Sequence, residues 1–125
     1  RSEDFDPLEA SGQLQLLDGP KEILPGLKLV PVNGHTPGQQ IAEFHTGDGV
    51  LVFMADFVPS VAHLHLPWVA GFDLNPLITL HEKRQFLSRA AADDYLLVFQ
   101  HDATNEACRV EFRDGRFRAR DLVTL

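Results

Sequence analysis

Leu27-Lys28-Leu29-Val30-Pro31-Val32-Asn33-Gly34-His35-Thr36-Pro37-Gly38 is the stretch on which the fold turns. Its first half, Leu27 to Val32, reads as a β-strand. Pro31 cannot donate to a sheet ladder, so the strand should lie at an edge or bend there. Its second half is a dense loop signal of Asn, Gly, Thr and Pro. A histidine is thereby set just past the end of a strand, where a scaffold can hold it rigidly.

The same arrangement recurs twice downstream. Val50-Leu51-Val52-Phe53-Met54 is a continuous apolar run, expected as a strand buried on both faces, and Asp56 follows it. Leu96-Leu97-Val98-Phe99 is another apolar strand, and His101 follows it. If these strands lie side by side with matching polarity, His35, Asp56 and His101 gather at one rim of a sheet. Imidazole nitrogen and carboxylate oxygen are the donors expected for zinc, and they also suit manganese or iron. Taken singly, each is as readily a loop histidine or a turn aspartate.

Other elements surround this frame. Arg1 to Gly12 is polar and acidic and reads as a loop or entry segment. Short strands are expected at Leu14–Leu17 and Glu22–Leu24. Ile41–His45 and Val50–Met54, around Thr46-Gly47-Asp48-Gly49, read as a hairpin. Asp56 to Pro76 is a long irregular loop carrying His63, His65, Trp68 and Phe72, and loops of that length are often functional. Thr79 reads as a helix start, with Glu82 completing a capping box, although Lys83 intrudes on the apolar face. Asp114-Gly115 between alternating runs marks a second hairpin.

Composition narrows the class. The chain has 125 residues, 44% hydrophobic and 23% charged, values usual for one globular domain. A formal net charge of −7 argues against nucleic-acid binding, which needs a basic face. The local run Arg113, Arg116, Arg118 and Arg120, broken by Asp114, reads as a solvated strand edge. Cys108 is the only cysteine, which excludes an intrachain disulfide and suits a reducing, cytoplasmic setting. No apolar run reaches the ~20 residues of a membrane span, and no signal peptide is apparent. The first residue is Arg1 and the only methionine is Met54, so the native start is expected to lie upstream or to have been removed.

Gly34-His35-Thr36-Pro37-Gly38 resembles the first five residues of the Gly-His-Thr-Pro-Gly-His motif of the metallo-β-lactamase superfamily. Ala55-Asp56 resembles the segment that supplies that family's metal-bridging aspartate. Phe99-Gln100-His101-Asp102 resembles the segment that supplies its last histidine ligand. Order and spacing both agree with the family. Position 39 departs from it, being Gln39, at a place generally not a ligand. A larger departure is that no His-x-His-x-Asp-His segment is present. His63-Leu64-His65 lacks the following Asp-His and lies on the wrong side of Asp56.

The resemblance implies an α+β fold: the C-terminal half of an αββα sandwich, a mixed, mostly antiparallel sheet with flanking helices. Residues 1–125 would be a single partial domain. It implies a binuclear-metal hydrolase with two zinc ions per complete site, His35, Asp56 and His101 as metal ligands, and Asp56 also orienting the nucleophile. His63, His65 and Trp68 would contact a small-molecule substrate, an ester or lactone in a lactonase-like or arylesterase-like branch. Alternatively the aromatics are core anchors and the histidines bond to backbone. With the N-terminal ligands missing, this chain alone is expected to hold metal poorly or not at all and to be inactive. Two other readings stand beside this one. In the first, the half-fold is a non-catalytic interaction module, pairing with itself or with another chain through the sheet face that a missing N-terminal half would otherwise cover. In the second, it is a metal-binding protein without turnover.

Overall fold

The computed structural model describes residues 2–124. Seven strands form one sheet in sequence order: β1 (Lys21–Leu24), β2 (Leu27–Val32), β3 (Gln39–Thr46), β4 (Gly49–Phe53), β5 (Leu96–Val98), β6 (Ala107–Arg113) and β7 (Arg116–Val123). All neighbours are antiparallel except β4 and β5. That single parallel pair needs a crossover, and the crossover carries helix α2 (Pro76–Ala92). The α+β, mostly antiparallel character expected from the sequence is thus present.

Pleating sorts the side chains. Lys28, Glu43, Val52, Leu97 and Cys108 fall in one register row, and Ile41 and Val110 share their face. This face takes α2, whose Phe86, Leu87 and Ala90 join Val52, Leu97 and Val110 in the core. The opposite face carries Leu29, Ala42, Phe53 and Val98 in one row and Leu27, Phe44, Leu51 and Leu96 in the next. Phe44 and Phe53 stay 38% and 37% exposed. The expectation that Val50–Met54 is buried on both faces is therefore corrected. Val52 and Met54 are buried on the α2 side, while the other side is apolar but open.

Three local expectations also change. Ser2–Ala10 is a helix, α1, rather than a loop, with Glu3 and Asp4 in its first turn, where carboxylates favour the helix dipole. Leu14–Leu17 forms no strand. Helix α2 begins three residues before Thr79, with Pro76 at its first turn and Asn75 at its N-cap. No capping box forms, because Thr79 donates to Asp73 and Glu82 accepts from the Asn33 backbone. Pro31 is tolerated because β1 pairs only with Leu27–Leu29, leaving that end of β2 free on one side. Asp114 and Gly115, at φ 52° and 74°, make the tight β6–β7 turn foreseen from Asp-Gly. No helix is long and apolar enough to cross a membrane among the described residues.

Candidate metal centre

His35, Asp56 and His101 leave the ends of β2, β4 and β5 at the same rim of the sheet. Asp56 stands between the two histidines. His101 Nε2 lies 2.8 Å from Asp56 Oδ1, and His35 Nε2 lies 3.8 Å from Asp56 Oδ2. One carboxylate thus meets an imidazole nitrogen at each oxygen. Ala55, just before it, takes φ 47°, a left-handed conformation that costs an alanine energy. That backbone turn directs Asp56 across the rim instead of along β4.

Each histidine loop is fastened separately. Glu82 on α2 accepts the Asn33 N–H at 3.0 Å with both carboxylate oxygens, and Asn33 Oδ1 accepts the Gly38 N–H at 2.9 Å. Gly34 lies so close to Thr79 that no side chain fits there. His101 donates its backbone N–H to Pro59 O at 3.0 Å. Asp102 beside it accepts from the Val61, Thr104 and Asn105 backbone. Burial works against the Asp102 charge, but those N–H donors and the Asn105 side chain outweigh it and hold the carboxyl at about 2.

The Asp56–Pro76 loop spans the two histidine loops. At one end Val61 and Pro59 bond to Asp102 and His101. At the other, Leu74 and Asn75 donate N–H groups to the carbonyls of His35 and Gly34 at 3.0 and 2.8 Å. Its middle is held by Lys83, the residue that spoils the helix pattern. Lys83 is buried, and its ammonium donates to the carbonyls of His63, His65 and Trp68 at 2.9, 3.1 and 2.5 Å. Burial lowers its pKa to about 8, against the pull of Asp73. A residue that reads as an imperfection in a helix is the clamp for the loop around a 3-10 turn at Val61–Leu64.

A cavity of about 260 Å³ opens beside His101, walled by Pro59, Ser60, His63, Ala70, Gly71 and Phe72. His63 Nδ1 lies 2.7 Å from Ser60 Oγ. Burial, then the Lys83 charge, lowers the His63 pKa, which favours the neutral ring. Phe72 is 73% exposed and packs edge-on against the His35 ring. His65 and Trp68 are not at this cavity. His65 lines a separate groove with Phe112 and Phe117, and Trp68 is exposed against the His65 ring. Neither Trp68 nor Phe72 is a core anchor, and it is the backbone carbonyls of His63 and His65, not their rings, that Lys83 binds.

Asp73 does not stand out in the sequence. Its carboxylate is 1% exposed, lies 2.9 Å from His35 Nδ1 and accepts from Thr79 Oγ1 at 2.7 Å. Only its being the one acidic residue after Asp56 in that loop could have singled it out. Gln39 reaches Asp56 Oδ2 at 3.4 Å, and its own Oε1 is buried without a partner among the described residues.

The donor types fit a zinc ion in part. Two imidazole nitrogens and a carboxylate converge, yet His101 bonds directly to Asp56, and among the described residues no ready cage of three or more ligands stands open.

No protein-family model matches the chain, and no curated protein matches it. Solved structures do. A probable metal-dependent hydrolase from Staphylococcus aureus aligns with TM-score 0.76 and 27% identity, over 91% of this chain and 42% of its own. AidC, a dizinc quorum-quenching lactonase, aligns with TM-score 0.77 and 19% identity, over 96% and 42%. The hydrolase AbOPH of the β-lactamase superfamily aligns with TM-score 0.76 and 20% identity, over 99% and 43%. The chain therefore has, in part, the fold of metal-dependent hydrolases of the β-lactamase superfamily, lactonases among them. It spans less than half the length of those three structures.

Proposed function

We propose that residues 1–125 form one partial domain of a metal-dependent hydrolase acting on a small ester or lactone. The observation that carries this is the pair of imidazoles meeting the two oxygens of Asp56. His35, Asp56 and His101 would hold zinc, two ions in the complete site, with further ligands supplied from outside this chain. Manganese or iron would suit the same donors. When bound, such a pair of ions supplies a hydroxide near neutral pH and polarises a substrate carbonyl. Asp56 would orient the nucleophile. The neutral His63, backed by Ser60, stands where it can hydrogen-bond a substrate oxygen in the cavity beside His101, and Phe72 offers an apolar wall. His65 and Trp68 belong to the outer part of the same loop and would meet only a longer substrate.

Alone, the chain is read as inactive and weakly metal-binding. The buried free thiol of Cys108 agrees with a cytoplasmic setting. A second reading, an interaction module without catalysis, is favoured by one observation, the open apolar face carrying Phe44 and Phe53.

The deciding measurement is zinc content after equilibration and removal of loosely held ions, on the full-length protein and on its Asp56→Ala variant. Retention that depends on Asp56, together with chelator-sensitive lactone hydrolysis by the full-length protein, is expected. Full-length protein that binds no metal would end the hydrolase reading.

A further inference from the structure

We propose that Asp73 is the positioning residue of the His35 side of the site: it holds the His35 proton on Nδ1 so that Nε2 faces Asp56 with its lone pair free. The inference rests on reading His35 as a metal ligand, but the geometry behind it is separate. Both Asp73 oxygens are engaged, Oδ1 with His35 Nδ1 at 2.9 Å and Oδ2 with the Thr79 hydroxyl at 2.7 Å. A carboxylate accepts and does not donate, so the ring nitrogen facing it must carry the proton. The neutral ring has one proton, and Nε2 is left as an acceptor or ligand.

The surroundings fix this choice. Asp73 is 1% exposed and His35 14% exposed, so water does not compete strongly at Nδ1. Asp73 cannot swing away, because the next two residues, Leu74 and Asn75, are bonded through their N–H groups to the carbonyls of His35 and Gly34. Thr79 sits in the first turns of α2 and closes against Gly34 on the other side. Helix, loop and motif thus lock one ring in one tautomer. A histidine ligand oriented by a carboxylate in this way binds metal more tightly, and loss of such a partner weakens affinity roughly 10- to 100-fold.

Nuclear magnetic resonance of the 15N-labelled, metal-free chain tests this directly. The pH would be about 8.5, above the ordinary histidine range near about 6.5. His35→Gln assigns the signal. The expected result is a proton on Nδ1 and an unprotonated Nε2. In Asp73→Asn, with Thr79 still donating to the amide oxygen, the NH2 faces Nδ1 and the proton should move to Nε2. A wild-type ring protonated on Nε2 overturns the proposal without any variant having to fold. So does an Asp73→Asn chain that melts normally and keeps the wild-type tautomer.

Zinc competition of the full-length protein against a chromophoric chelator adds the second readout. Asp73→Asn should weaken binding roughly 10- to 100-fold and have no further effect in a His35→Ala background. An equal loss in that background would show a merely structural role and overturn the proposal. If neither wild type nor variant binds zinc, the hydrolase reading is what suffers, and the tautomer still decides the role of Asp73.

Discussion

Gly34 and Thr79 pack backbone against backbone, so that a Cβ on residue 34 would stand 2.0 Å from Thr79 Oγ1 and 2.4 Å from Thr79 N. The glycine before His35 is therefore a contact requirement, imposed by the N-terminal turns of α2. Gly34→Ala must push the His35 loop off the helix. The expected cost is about 1–3 kcal/mol, the usual range for overpacking against an unyielding neighbour. Urea unfolding reads it, and an unchanged midpoint would mean that the loop and helix are not in contact as described.

Lys83 anchors the loop that follows Asp56. Lys83→Met keeps the buried stem but strands the carbonyls of His63, His65 and Trp68. Unpaired buried acceptors are costly, and a loss of about 3 kcal/mol is expected. The loop should also show faster amide hydrogen exchange around Val61–Trp68, ahead of the sheet. Uniform acceleration across the chain would instead point to a global effect and remove the special role of Lys83.

Acid should loosen the His101 side first. The Asp102 carboxyl is held below its ordinary value of 3.8, at about 2, by the backbone donors of Val61, Thr104 and Asn105. A depressed carboxyl contributes stability that is fully present above the unfolded pKa and lost as pH falls through the folded one. The window is therefore about 4 down to about 2. Asp102→Asn should flatten the fall of stability across that window while lowering stability at neutral pH. Chemical denaturation at several acidic pH values checks it, and parallel curves for the two proteins would refute the assignment.

What the sequence disclosed and what it hid follow from how each feature is encoded. The strands β2, β4 and β5 and the gathering of His35, Asp56 and His101 at one rim were legible because apolar runs ending just before those residues are local signals. The Asp-Gly turn at Asp114 was legible for the same reason. Asp73 was not, because its role depends on a contact with His35 across 38 residues of chain. The burial of Lys83 was hidden likewise, since it answers carbonyls whose positions only the folded loop defines. The apparent capping pair Thr79 and Glu82 misled because both side chains have stronger partners elsewhere, Asp73 and the Asn33 N–H. The expected double-sided burial of β4 failed because periodicity reports that a strand is apolar, not which of its faces has a neighbour.

That open face gives the last prediction. Leu51, Phe53, Leu96 and Val98 sit side by side on β4 and β5, and Phe44 extends the patch on β3. Phe44 and Phe53 keep more than a third of their surface in water. Contiguous apolar surface on that scale drives association, whether with another segment or with a second copy. The chain by itself should therefore sediment as a concentration-dependent oligomer. Phe44→Glu with Phe53→Glu should return it to a monomer at the same concentration. Neither substitution touches the α2 side of the sheet, so the thermal transition should persist. A wild-type chain that stays monomeric at high concentration would mean that this face is already covered, and would count against the interaction-module reading as well.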